Sequence, residues 1–134
     1  MMSLAGNHEI EWDPTIADAF PAFRHRYRMP QVRPEEIDCP FAPTPAPPNQ
    51  CAPSVYFSCL NYGNAYYSFK ASTVHVVMLA SYTYSNVTSK QYAWVEQELA
   101  SVDRKISPWV VVLMHSPFYN SNTAYQNEVH RWQT

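Results

Sequence analysis

The chain has 134 residues, of which 46% are hydrophobic and 15% charged, and a formal net charge of -2. That is the composition of one modest folded domain rather than a disordered chain, and it offers no basic field for nucleic acid or an anionic membrane. No apolar stretch is long enough for a transmembrane helix, and residues 1–5 (MMSLA) lack the basic and apolar regions of a signal peptide.

The chain holds only two glycines. One of them, Gly6, directly precedes Asn7-His8-Glu9, where a tight turn needs a permissive backbone. Residues 10–29 are aromatic and irregular, with Pro14 and Pro21 interrupting any long helix. His25 sits among Arg24, Arg26 and Arg28, a cluster that suits either a solvated basic turn or contact with an anion. From Pro30 to Pro53 the chain carries eight of its twelve prolines. This predicts an extended surface insertion, read either as a plain loop or as a ligand for a proline-recognising domain. Cys39, Cys51 and Cys59 lie in or beside it. Their spacing matches no zinc ribbon, and their odd number allows at most one internal pair.

Beyond the insertion the pattern turns to β. Residues 54–59 and 65–69, separated by Asn61-Tyr62-Gly63-Asn64, predict a hairpin. Val74–Leu79 is a short apolar run, as for a strand buried on both faces, with His75 as a satisfied core residue. Residues 81–89 form a polar connection that holds the chain's single N-glycosylation sequon, Asn86-Val87-Thr88. The sequon and a cysteine pair both lean towards a secretory history.

A helix is predicted over 89–102. Tyr92, Val95, Leu99 and Val102 form one apolar stripe flanked by Trp94, while Gln91, Glu96, Gln97 and Glu98 face outward. Thr88 or Ser89 suits its N-cap, Lys105 suits its dipole and Pro108 prevents continuation. Trp109–Met114 is the next buried strand. The order strand, helix, strand predicts a βαβ unit with parallel strands. That order puts His115 at the carboxyl end of a parallel strand, where open α/β sheets place ligands. Residues 116–123 read as a loop and 124–132 as the start of a helix.

Two places carry chemistry. Asn7 offers its carbonyl oxygen to a metal, or to an Asx hydrogen bond within a polar turn. His115 is fixed by a rigid strand and aimed at the loop edge, as a metal ligand needs. A histidine bonded to backbone near a strand end fits the same spacing. His130 falls on the terminal helix. The acidic residues show no paired spacing for general acid–base work, and neither a Gly-rich phosphate loop nor a Gly-x-Ser-x-Gly elbow is present.

Several blocks in order carry a resemblance. They are Gly6-Asn7-His8-Glu9-Ile10-Glu11, Phe23-Arg24-His25-Arg26-Tyr27-Arg28-Met29-Pro30 and Tyr66-Tyr67-Ser68-Phe69. They continue with Val74-His75-Val76-Val77-Met78-Leu79-Ala80-Ser81-Tyr82, Gln91-Tyr92-Ala93-Trp94-Val95 and Ser107-Pro108-Trp109. The last is Val112-Leu113-Met114-His115-Ser116-Pro117-Phe118-Tyr119-Asn120-Ser121. Across most of the chain outside the insertion, this series resembles the plant-type purple acid phosphatases of the calcineurin-like metallophosphoesterase superfamily.

The resemblance implies an α/β fold, part of a four-layer α/β/β/α sandwich. Residues 1–134 would form part of one catalytic domain, with the Pro-rich insertion at about 30–53. It also implies a dinuclear centre of ferric iron with zinc, ferrous iron or manganese. Asn7 and His115 would bind the divalent metal, His8 would hydrogen-bond the phosphate or leaving group, and Glu9 would orient its neighbours. The implied reaction is hydrolysis of phosphate monoesters, with a metal-bound hydroxide attacking phosphorus in line. The whole protein would be a secreted or vacuolar glycoprotein, able to form a homodimer, with no nucleic-acid partner and no membrane span.

The chain also departs from the family. The motifs for the ferric ligand, the bridging Asp and the colour-giving Tyr would precede Met1, and Gly-His-x-His would follow Thr134. Tyr125 stands where plant-type members carry a substrate-contacting His, and it supplies no cationic charge near neutral pH. The expectation is a phosphatase segment that is inactive alone and exposes apolar edges such as Val74–Leu79. The alternative is a non-catalytic relative that binds partners through its Pro-rich insertion.

Overall fold

Val74–Leu79 is a β-branched run, and the fold is built around it. The computed structural model describes residues 2–6, 9, 20–30, 64–83, 85–119 and 121. Within these the elements are α1 (Pro21–Arg26), β1 (Tyr67–Ala71), β2 (Val74–Leu79), α2 (Lys90–Ser101) and β3 (Trp109–Met114). The expectations for Asn7 and His8, for 31–63 with the three cysteines, and for Tyr125, His130 and the closing helix lie outside the described residues.

The described strands form one sheet in the order β1-β2-β3. β2 pairs antiparallel with β1, Tyr67 opposite Met78 and Ala71 opposite Val74. It pairs parallel with β3, from Val74 opposite Trp109 to Leu79 opposite Met114. With α2 between β2 and β3, the expected strand–helix–strand unit is present. The strand expected at 65–69 runs two residues later, and its described hairpin partner is β2. The Ser72-Thr73 turn between them lacks the usual Gly or Asn, so it gives no signal in the sequence. Ser72 nevertheless takes the positive φ, 55°, that a two-residue hairpin demands.

The expected apolar edge falls on a different strand. β2 is central, with His75 through Met78 buried. Among the described strands it is β3, expected to be buried, that stands open, with Trp109 68%, Val112 50% and Leu113 43% exposed. An exposed apolar strand is a template for pairing with another chain. Val112→Lys is therefore expected to reduce self-association of the purified chain in sedimentation velocity, with stability changed by no more than about 0.5 kcal/mol.

Both sheet faces bury side chains. On one, Val77 packs with Phe20, Phe23, Tyr66, Tyr82 and Trp94. The Tyr66 and Trp94 rings lie 5.0 Å apart. On the other, Tyr67, Val76, Met78 and Met29 cluster, with Leu4 and Phe69 beside them. The fully buried Tyr67 hydroxyl donates to the Ser3 carbonyl at 2.6 Å. This bond fixes the N-terminal segment beside the carboxyl ends of β2 and β3.

Burial holds the Tyr67 pKa above the ordinary phenol value. The folded pKa thus exceeds the unfolded one, so this contribution to stability is full below about pH 10 and is lost as pH rises further. Tyr67→Phe is expected to cost about 1 kcal/mol at neutral pH and to flatten the alkaline fall in urea-unfolding stability.

α2 begins as expected at Ser89, whose side chain accepts from the Tyr92 N–H at 3.1 Å. Its buried face differs from the predicted stripe. Gln91 and Trp94 are buried, whereas Tyr92 and Leu99 stand 36% and 43% exposed. Glu98 also faces the sheet: its Oε1 accepts from Ser68 Oγ at 2.6 Å and lies 2.9 Å from His75 Nε2. The His75 contact is close but does not meet hydrogen-bond geometry. Hydropathy misassigned Gln91 and Glu98 because it does not register polar partners that satisfy a buried side chain.

α1 is a short helix in a stretch expected to be irregular. A proline in the first turn, as here, starts a helix rather than breaking one. Phe23 drives its packing, buried against the core with its ring 5.3 Å from Tyr27.

Candidate functional site at the strand ends

The carboxyl ends of β2 and β3 share one sheet edge, because the strands are parallel and in register. The chain leaves β2 through Ala80, Ser81, Tyr82 and Thr83, all buried. Gln91 on α2 grips this exit from one side. Its Oε1 accepts from the Ala80 N–H at 2.8 Å and its Nε2 donates to the Ala80 carbonyl at 3.2 Å. The exit from β3 is tied to it from the other side, where the Ser116 N–H donates to Ser81 Oγ at 2.9 Å.

His115 lies between these fixed points, one residue beyond β3, and is exposed. Its ring centroid is 6.1 Å from that of buried Tyr82. The imidazole is therefore held by the strand on one side and an aromatic wall on the other.

The N-terminal turn arrives at the same place. A Cβ on Gly6 would stand 2.8 Å from His115 Cε1, 3.0 Å from His115 Nδ1 and 2.9 Å from Glu9 Oε2. Only a residue without a side chain permits this approach. Glu9 closes the turn: its Oε2 accepts from the Gly6 N–H at 2.7 Å, and its own N–H donates to the Gly6 carbonyl at 3.3 Å. Two runs more than a hundred residues apart thus meet at one edge.

Of the residues singled out from sequence, His115 and Glu9 fall in this site. His75 is buried in the sheet, away from the solvent-exposed edge. His25, Arg26 and Arg28 are exposed on and after α1. Sequence reasoning gave no role to Ser81, Tyr82, Gln91 or Ser116, which hold the two strand exits. Their signal was confined to the collinear blocks, since a buried Ser or Gln has no periodicity of its own.

No family model matches the chain. Individual proteins do. The chain is 38% identical over 127 residues to purple acid phosphatase 18 of Arabidopsis thaliana, covering 95% of this chain and 23% of that protein. It is 34% identical over 119 residues to a purple acid phosphatase of Glycine max, covering 87% of this chain and 20% of that protein. It is 33% identical over 125 residues to a phosphoenolpyruvate phosphatase of Allium cepa, covering 92% of this chain and 21% of that protein. The chain thus spans less than a quarter of the length of these relatives. Identity at this level along nearly all of its own length makes the chain a purple acid phosphatase segment.

Proposed function

We propose that the chain is the part of an acid phosphatase that carries the Asn-His-Glu turn to a strand-end histidine, for hydrolysis of phosphate monoesters by the whole enzyme. The observation that carries this reading is the close approach of Gly6 to His115, in a turn that Glu9 closes through the Gly6 N–H. In it, Asn7 and His115 serve as ligands of the divalent metal of a dinuclear pair, ferric iron with zinc, ferrous iron or manganese. His8 hydrogen-bonds the phosphate or leaving group, and Glu9 fixes the turn through the Gly6 N–H.

Among the described residues, no three His, Cys, Asp or Glu side chains form a group able to hold a metal ion. His115 offers one nitrogen donor, which is not a metal site in itself, since even a catalytic zinc takes three protein ligands. The metal pair therefore belongs to the whole enzyme in this reading. The exposed apolar surface of β3 supports a larger α/β/β/α sandwich, whose further layers would cover it. Among the described residues no helix is long and apolar enough to cross a membrane. Secretion or vacuolar delivery, and a homodimer, are proposed for the whole protein.

The test is a chimaera in which this chain replaces the aligned segment of the Arabidopsis thaliana relative. Secreted, folded chimaera is expected to hydrolyse p-nitrophenyl phosphate at mildly acidic pH and to lose that activity with His115→Ala. A chimaera with the parent's melting temperature but no activity, or activity indifferent to His115, would refute the proposal.

A further inference from the structure

The connection from β2 to α2 carries a group that the phosphatase reading does not use. Asn86-Val87-Thr88 has the sequon pattern, which alone is common by chance. The structure adds a reason to take it seriously. All three residues are exposed, Val87 at 71%. Asn86 opens a tight turn in which the Ser89 N–H donates to its backbone carbonyl at 2.9 Å. Thr88 Oγ1 donates to Asn86 Oδ1 at 3.1 Å. Among the described residues, Asn86 Nδ2 makes no hydrogen bond.

A glycan on Nδ2 would therefore displace no core group and break no described contact. The structural work of the turn is done by its neighbour, Ser89, which caps α2 through its own side chain. The native fold can thus form with the modification already in place, as a glycan added to a nascent chain requires.

We propose that Asn86 is an N-glycosylation site, its ligand the oligosaccharide of a lipid-linked donor. Asn86 Nδ2 attacks C1 of the first sugar. The N–C bond forms as the C–O bond to the lipid pyrophosphate breaks, Nδ2 loses one proton and the lipid pyrophosphate leaves. Asn86 lies on the same connection as Ser81 and Tyr82, so the glycan stands on the loop that leads from the candidate site to α2. The assignment rests on the secretory routing proposed above and not on the metal or phosphate roles of Asn7, His8 and His115.

The test is translation of the full chain, behind a secretory leader, into microsomes. The protease-protected product is expected to show one discrete mass step that an amide-cleaving glycosidase removes. Asn86→Gln and Thr88→Ala are each expected to abolish the step, and Thr88→Ser to retain it. Because modification is read on the nascent chain, a variant that folds poorly still reports. Protease-protected wild-type chain without the step would overturn the proposal, as would a step that persists in Asn86→Gln. Circular dichroism and melting of the glycosylated chain are expected to match the unglycosylated form. A loss of fold on glycosylation would contradict the open geometry of the turn.

Discussion

Gly6→Ala is expected to lower kcat/KM of the chimaeric phosphatase by about 10²-fold while leaving its melting temperature nearly unchanged. The added methyl would meet His115 Cε1 at 2.8 Å and Glu9 Oε2 at 2.9 Å, closer than a Cβ tolerates. Both neighbours are exposed side chains that can shift aside, Glu9 giving up its bond to the Gly6 N–H, so the cost falls on the turn rather than on the core. In the proposed reading they are also the two described side chains that must stay in place. Misplacing a reacting group or its support by about 1 Å costs on the order of 10²-fold in rate. Steady-state kinetics beside a thermal melt separates the two effects. His115→Ala, which removes the imidazole outright, is expected to cost at least as much. Full activity in Gly6→Ala would mean that the contact has no part in catalysis.

Gln91→Ala is expected to destabilise the fold by about 2–4 kcal/mol. Gln91 is 2% exposed and both ends of its amide are engaged by the backbone of Ala80. Truncation leaves the Ala80 N–H and carbonyl unpartnered in a buried setting, and it leaves a cavity beneath the helix. Gln91→Glu keeps the acceptor for the Ala80 N–H but sets a carboxylate oxygen against the Ala80 carbonyl, so it is expected to recover little. Urea denaturation of the purified chain measures both. A loss below about 1 kcal/mol for Gln91→Ala would show that water replaces the amide and that Gln91 does not anchor the β2 exit.

The parts of this fold legible in sequence are those set by local pattern. Val74–Leu79 and Trp109–Met114 are strands with the bounds read, because apolar β-branched runs bounded by turn residues have few alternatives, but Trp109–Met114, expected to be buried, is largely exposed. The N-cap at Ser89 and the parallel pairing of β2 with β3 follow from the same local rules. What stayed hidden depends on partners distant in sequence. Gln91 and Glu98 look like solvent residues until Ala80, Ser68 and His75 are placed against them. The Ser72-Thr73 hairpin lacks its usual glycine, and which strand would lie open depends on pairing rather than composition.

The site divides in the same way. His115 could be placed at a strand end from periodicity alone, and Gly6 was marked by its rarity. That the two touch is a fact of tertiary structure, reached through Tyr67 holding Ser3 beside the strand ends. Tyr82 and the Ser81–Ser116 bond, which flank His115, had no separate signal.

The most direct measurement is p-nitrophenyl phosphate hydrolysis by the purified chain itself, with bound metal quantified on the same sample. A chain that holds part of a metallophosphoesterase site should show neither turnover nor stoichiometric metal. Turnover that tracks bound metal and disappears in His115→Ala would show instead that these 134 residues assemble a complete site on their own.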